Sequence, residues 1–550
     1  MKQSKRIIAL ILSLVMCMAI FAACGEKAST ETPGASNTGS ANPSQGGNDP
    51  TTPDAPGGDL EAPPPTGDNV KFVDHIEVIS DSTPIGVLCP FAAAGTGSST
   101  NWVYGMIYDT LIKMEQDGTI IPNLATSWAT EDYQTYTFEL RDDVYWHNGD
   151  KFTAQDVIWT QETAVASPGG FPSWDYWKRI AKVTAIDDYT IEVVTNSVNV
   201  DFYYGLSVMY CGIVNGNAIA ADDEKGWWVG TGAYKVKGFS SKDYVEFERN
   251  DNYWGPVPLT KTQTWRFIPE MATRTIMLQN GEADICFELS SNDMDVFRDN
   301  KDFILFKSGT LNPISLNMNQ SDPLMSDPNF KQAVLYALDR EEIGLFANGE
   351  LALPVPDGAL WGRTTIHRNT DIPIITQDIE KSKEYLAASS YNNETVIITA
   401  AINYNIRAAE AIQQQLAKVG IKTEVNQLDT AGFTSATTWA ENKTQMNIWA
   451  NMLGLSPFGF LNSFLQGAAH NRAKLVNDEL ETLLQKMYTM TDDAERDASW
   501  KRAQEIVFEE VATTTLFYRA GALVGRAGTG GIGLPPSALY DLRYMYIVES

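Results

Sequence analysis

The chain has 550 residues, 43% hydrophobic and 20% charged; that composition excludes wholesale disorder, and the length exceeds what one hydrophobic core organises, so two or three lobes are expected. Acidic residues outnumber basic ones 69 to 41, for a formal net charge of -28. Phosphate binding needs clustered Lys and Arg, so this balance argues against a nucleic-acid partner and for a soluble acidic surface.

The first 25 residues read as a processing segment: Lys2, Lys5 and Arg6 form a basic start, and residues 7–23 are an almost unbroken apolar run. That run is shorter than the roughly 20 residues a bilayer core requires. The tail Ala22-Ala23-Cys24-Gly25 resembles a bacterial lipobox, with Phe21 where that motif usually has Leu. The resemblance implies a lipoprotein signal peptide over 1–23 and a lipidated Cys24 as the mature N-terminus. Residues 24–69 are dominated by Ser, Thr, Gly, Pro and Asn. Such a stretch cannot bury enough apolar surface to offset its ordering entropy. As a coil it would reach on the order of 40 Å, a tether that holds a globular body off a membrane. Of the cysteines beyond it, Cys89, Cys211 and Cys286, no two share a metal spacing, and free buried thiols are expected.

Folded structure is expected from residue 71. A strand at 75–79 leads through Cys89-Pro90-Phe91 and the small-residue loop 92–100 to a helix over 102–111, with Val103, Ile107 and Leu111 at helical spacing. Tyr136, Phe138 and Leu140 alternate with polar residues as in a half-buried strand. His147-Asn148-Gly149-Asp150 supplies a turn, and Thr153-Ala154-Gln155-Asp156 has the form of a helix capping box. Two alternating runs around Asp187-Asp188 predict a hairpin, 245–252 a strand, and 271–281 a helix stopped by Gly281. Asp327-Pro328 predicts a capped helix, residues 408–419 an amphipathic helix ended by Gly420, and 421–425 the next strand. Two helices over 480–508 and a strand over 514–518 complete an alternation that argues for an α/β body.

Several of these segments together resemble one family. Asn123-Leu124-Ala125, Ser127-Trp128, then Tyr136, Phe138, Leu140-Arg141, then His147, Gly149-Asp150, Phe152-Thr153-Ala154 and Asp156-Val157 follow the hallmark of family 5 extracellular solute-binding proteins, the dipeptide, oligopeptide and nickel receptors of bacterial ABC importers. Gly230-Thr231-Gly232-Ala233-Tyr234, Gly281-Glu282 with Asp284, and the stretch from Asn317 to Asp339-Arg340 resemble later signatures in the same order. The resemblance spans about residues 71–545. It implies a two-lobed periplasmic-binding-protein-like α/β fold with an extra domain and a hinged cleft: lobe I from 70–100, 230–313 and 514–550, an inserted domain at 101–229, and lobe II at 314–513. It also implies a monomeric receptor on the outer face of the cytoplasmic membrane, working with ABC permease subunits and a small-molecule or oligopeptide ligand, without a cofactor.

By the same resemblance the loop before the first helix lines the cleft, which makes Thr96, Gly97, Ser98 and Asn101 candidate ligand contacts. Trp361, Arg363, Trp449 and Asn451 fall in two further stretches expected there. Aromatic faces pack apolar side chains or sugar rings, and Arg and Asn supply directed hydrogen bonds. For each of these residues an ordinary turn or core role stands beside the ligand reading. Peptide receptors of this family commonly hold the ligand's ammonium with an Asp a few residues after a Trp, whereas 449–457 contains no carboxylate. Two readings follow: a ligand not gripped by a free amino end, such as a blocked peptide or a neutral oligosaccharide, or a carboxylate supplied from elsewhere, such as Asp429 or Glu441.

Catalytic signatures are missing. There are four His and no H-E-x-x-H, no G-x-S-x-G and no Walker-type loop. One G-x-G-x-x-G run, Gly528 to Gly533, is followed by Leu534-Pro535-Pro536 rather than a helix, which predicts a turn. A receptor is therefore expected, with an exported hydrolase as the less supported reading.

Overall fold

The computed structural model describes residues 64–66, 70–80, 88–91, 98–115, 119–167, 176–241, 243–307, 312–360, 366–450, 462–533 and 541–549. Cys24, Thr96, Gly97, Trp361, Arg363 and Asn451 lie outside the described residues, as does nearly all of the expected tether.

Two mixed sheets dominate. The first has seven strands in the spatial order Phe303–Lys307, Ala522–Arg526, Ile285–Phe287, His75–Ser80, Thr262–Phe267, Tyr244–Arg249, Tyr234–Ser240. Its central strand, His75–Ser80, pairs in parallel on both sides, and Ile76, Val78 and Ile79 are fully buried. That is the usual condition of a parallel strand covered on both faces. The second sheet has six strands, ordered Ala352–Leu353, Thr513–Arg519, Asn312–Met318, Met446–Ala450, Val396–Ala400, Thr423–Gln427. A separate antiparallel sheet, Ala125–Thr130, Thr135–Leu140, Thr190–Thr195, Ile180–Asp187, is built from the signature region.

Local chemistry explains most elements. In Thr135–Leu140 the residues Tyr136, Phe138 and Leu140 all point inward. Helix Ala154–Ala166 opens with the expected reciprocal cap, the Thr153 amide donating to Asp156 Oδ2 at 2.9 Å. Asp327 accepts from the amides of Asn329 and Phe330 (2.8 and 3.4 Å) and starts helix Pro328–Ala337. Gly281, after helix Met271–Gln279, has φ +73°, a left-handed conformation that glycine adopts without strain. Gly528 and Gly531 are also left-handed, and Thr529–Gly530 pairs with Tyr546–Ile547, so the glycine run is a turn between strands.

Three expectations are corrected. The first helix is Ser98–Ile107, not 102–111. Its end is fixed from outside: the Gly232 amide bonds the Ile107 carbonyl at 2.9 Å, and a Cβ on Gly230 would stand 1.8 Å from that oxygen. The Gly-Thr-Gly element is thus a seat for the end of this helix, and a border at 100/101 would cut the helix in two. The long amphipathic helix begins at Asn403 rather than 408: its first turns carry Tyr404 and Ile406, which pack against the second core. Strand Thr513–Arg519, expected with lobe I from residue 514, pairs with Asn312–Met318 and Ala352–Leu353 in the six-stranded sheet. The chain returns to the first sheet only at Ala522.

One continuous apolar core runs beneath the seven-stranded and four-stranded sheets, from Val78, Phe247 and Trp265 through Trp102 to Phe138 and Phe152. A second lies under the six-stranded sheet, with Leu316, Phe330, Ile398, Ile412 and Ile448. Helices Asp478–Met487 and Asp493–Glu509 gather a smaller cluster around Leu480, Leu484 and Trp500.

Each main core carries a buried polar network. In the first, Asp109 (fully buried) accepts from Trp254 Nε1 and Thr231 Oγ1, both at 3.0 Å, and pairs with Arg543 at 3.3 Å. Arg543 also grips Asp541 at 2.6 Å, which ties the C-terminal segment to the body. In the second, Asn317 on one strand donates to Asn447 on the next (3.1 Å) and accepts from Thr513 on a third (2.8 Å). Asn447 Nδ2 reaches Thr444 Oγ1 at 3.2 Å and the Arg472 carbonyl at 3.4 Å, and Asn442 Nδ2 reaches that carbonyl at 2.7 Å.

Candidate functional site

The two large sheets are joined where the chain passes from Phe303–Lys307 into Asn312–Met318 and back from Thr513–Arg519 into Ala522–Arg526. Lys307 faces Ala522 in the first sheet, and Asn312 faces Arg519 in the second, so the outgoing and returning passes of the chain are neighbours in each sheet. Connections of this kind, made by a few residues at element ends, are where hinge motion is absorbed.

Charged side chains gather beside it. Arg519, the last residue of its strand, pairs with Glu288 from the opposite sheet at 2.6 Å and stacks its guanidinium over Tyr404, 4.8 Å from the ring centre. Glu288 has φ +58°, an uncommon backbone for a residue with a Cβ. Its carbonyl is held by the buried Arg274 at 3.3 Å. A few residues away Glu350 bridges Arg298 and Lys307. Burial opposes the Glu350 charge, yet the bonds from Arg298 and Lys307 outweigh it and hold the carboxyl below its ordinary pKa. On another side the lobes also meet, where the Val200 amide bonds the Tyr488 carbonyl at 3.0 Å and Arg179 lies over the Tyr488 ring at 5.2 Å. The space between the sheets is therefore bounded at these passes and again at the helical cluster.

Of the expected ligand contacts, Ser98 opens the first helix and Asn101 lies in its first turn. Asn101 is 2% exposed; its Nδ2 donates to Tyr210 and its Oδ1 has no partner. Trp449 lies near the C-terminal end of the interior strand Met446–Ala450, partly exposed and stacked on Phe433 with ring centres 4.8 Å apart and planes 12° apart. The structure thus puts Asn101 with the first core and Trp449 with the second sheet. It adds residues that no sequence signal marked: Arg472, whose guanidinium is 5.0 Å from the Trp449 ring centre and 5.9 Å from that of Phe433, and the Glu288–Arg519–Tyr404 group.

Asp429 and Glu441, the two carboxylates considered as substitutes near Trp449, are engaged or remote. Asp429 caps helix Thr430–Thr437, accepting from the Gly432 amide at 2.6 Å, and Glu441 is exposed in the following turn. His147 is a structural residue: its Nδ1 accepts from the Gly230 amide at 3.2 Å, its Nε2 donates to the Gly232 carbonyl at 2.9 Å, and burial lowers its pKa to about 4. Among the described residues no group of three or more His, Cys, Asp or Glu side chains could hold a metal, Cys89, Cys211 and Cys286 are buried thiols, and no helix is long and apolar enough to cross a membrane.

Two α/β lobes joined by neighbouring passes of the chain make an arrangement that can close around a solute. The profile of the bacterial extracellular solute-binding proteins, family 5, matches residues 119–472, and the chain belongs to that family of ABC-importer receptors. The glutathione-binding protein GsiB of Pectobacterium atrosepticum is 26% identical over 451 residues, covering 79% of this chain and 86% of that protein. The fold is that of the periplasmic binding protein DppA from Helicobacter pylori in complex with the peptide STSA (TM-score 0.72, 24% identity, 86% of this chain and 98% of that one). The substrate-binding protein CtaP from Listeria monocytogenes is similar as well (TM-score 0.78, 22% identity, 87% and 100% covered).

Proposed function

We propose that this chain captures a peptide-like solute at the outer face of the cytoplasmic membrane, held there by a lipid on Cys24, and passes it as a monomer to an ABC permease. Ligand contacts to both lobes favour the closed arrangement by their differential affinity, and no bond in the ligand is made or broken. The names of the related receptors support a peptide-like ligand: glutathione for GsiB, and the peptide STSA for DppA.

The observation that carries the finer reading is the chemistry around Trp449. Its ring stacks on Phe433 and faces the Arg472 guanidinium, which among the described residues has no carboxylate within ion-pair distance. A buried ammonium left without an anion costs several kcal/mol or more. The ligand's free amino end is therefore not what this part of the receptor holds. Titration calorimetry with matched tetrapeptides, free and N-acetylated, tests the reading: both forms should bind within a few-fold of each other. Tight binding of the free form that acetylation abolishes would sink it. Small-angle scattering should show a smaller radius with the bound form, and the peptide should be recovered intact. Mass spectrometry of membrane-extracted protein should find acyl chains on Cys24.

A further inference from the structure

Arg472 is 8% exposed, and among the described residues its guanidinium has neither a carboxylate within ion-pair distance nor a hydrogen bond. Its Nε is shut off from solvent with no partner. Arg274 Nε is orphaned in the same way, but the terminal nitrogens of the other deeply placed arginines are held. Arg274 gives its donors to the carbonyls of Ile268, Pro269 and Glu288, Arg340 to those of Thr515 and Ile375, and Arg543 to two carboxylates. Among the described residues only the aromatic faces of Trp449 and Phe433 attend the Arg472 charge. Cation–π contact is worth ~1–2 kcal/mol and does not satisfy the N–H groups, which lie at the edge of the guanidinium rather than over its face.

A second orphan sits on the same face. Ser315 is the strand partner of Trp449, fully buried, and its hydroxyl has no partner. Directly opposed residues of an antiparallel pair share a face, so Ser315 and Trp449 project together beside the guanidinium. The backbone under Arg472 is fixed, because Asn442 and Asn447 both hold its carbonyl. Ordered amides position the residue, aromatic planes orient its head, and two kinds of donor are left unused. That is a preorganised anion receiver rather than a packing accident.

Resting on the peptide-like reading above, we propose that Arg472 is a ligand-binding residue that takes an anionic group of the solute, a carboxylate, against the Trp449 ring. A planar guanidinium suits a carboxylate, with two parallel N–H···O bonds, and Trp449 shields that pair from water. Burial lowers the Arg472 pKa only to about 10, so the group is charged at neutral pH and ready for the anion.

The test uses the full chain, an equimolar tetrapeptide library with free or amidated carboxyl ends, and inorganic phosphate as a bare anion. Wild type should prefer free acids over amides by roughly tenfold or more, the scale of one charged hydrogen-bonded contact. Arg472→Gln should erase that preference while binding amides within a few-fold of wild type, and Arg472→Lys should restore part of it. Ligand-free Arg472→Gln should melt no lower than wild type, since it removes an unpaired buried charge; a collapse in melting temperature would mark a structural arginine and overturn the proposal. Equal binding of acid and amide by wild type, or a preference that survives in Arg472→Gln, would overturn the proposal and leave the peptide reading standing. Binding of phosphate but of neither library, with phosphate lost in Arg472→Gln, would keep the anion site and discard the peptide reading. Binding of none of the three probes would discard both.

Discussion

The two cores solve the same problem, polar groups buried in the middle of a lobe, with opposite chemistry. Beneath the seven-stranded sheet the solution is ionic: Arg543 lies between Asp109 and Asp541, Lys113 reaches Asp541 at 3.5 Å, and Thr231, Tyr253 and Trp254 complete the shell around Asp109. Beneath the six-stranded sheet it is neutral: Asn317, Asn442, Asn447 and Thr513 share amides and hydroxyls across strands. The ionic knot joins residue 109 to residue 543 and so fixes which distant segments belong together. The amide ladder joins adjacent strands and fixes their register. The difference shows why a charge stands out in one lobe and not in the other: beside a ladder of neutral amides and hydroxyls, the guanidinium of Arg472 has no carboxylate among the described residues to neutralise it.

The comparison is broken most severely by removing half of the ionic knot. Arg543→Ala would leave the fully buried Asp109 carboxylate without its cation, and a loss of ~3–5 kcal/mol is expected. Denaturant titration followed by tryptophan fluorescence would measure it; a loss under 1 kcal/mol would mean the knot is ornamental. Asn447→Ala cuts the neutral ladder and leaves the Asn317 donor unpaired, at an expected cost of ~1–3 kcal/mol by the same titration. If the two losses come out reversed, the contrast between ionic and neutral cores does not hold.

The smallest effect belongs to the bridge between lobes. Glu350→Gln removes a partly exposed charge from Arg298 and Lys307, and the change in stability should stay within ~1 kcal/mol. Because the folded pKa of Glu350 lies below its unfolded value, its contribution is present above the ordinary carboxylate pKa and is lost as pH falls through the lowered one. Melting curves from pH 7 down to pH 3 should therefore converge for wild type and variant at the acid end. Curves that stay parallel throughout would show that the bridge carries no linkage.

How much of this was legible beforehand follows from distance along the chain. Thr153 with Asp156, Asp327 with Pro328, and the alternation of Tyr136, Phe138 and Leu140 are local patterns, and the structure forms them where the spacing predicts. Helix Ser98–Ile107 was displaced because a partner more than a hundred residues later, the Gly232 amide, terminates it, and no local residue announces that. The strand at 513–519 was given to the wrong sheet because its apolar pattern suits either; register with Asn312–Met318 decides, and register is a property of the assembled pair. The missing carboxylate near Trp449 could be read from the residues 449–457 alone. Arg472 could not, since an arginine becomes conspicuous only once its surroundings are known to lack an anion.

The neighbouring passes of the chain have a consequence for anyone who would turn this receptor into a sensor. The two ends of the described body lie side by side, the Glu549 amide bonding the Lys71 carbonyl at 2.8 Å, and both belong with the seven-stranded sheet. Fluorophores attached at Lys71 and Glu549 would therefore ride on one sheet and stay silent through any movement of the other. A circularly permuted chain, with the old ends linked and new ones opened at the exposed turn around Asn393, would put both new ends on the opposite lobe and be just as blind. Only one label on each sheet converts solute capture into a change of distance.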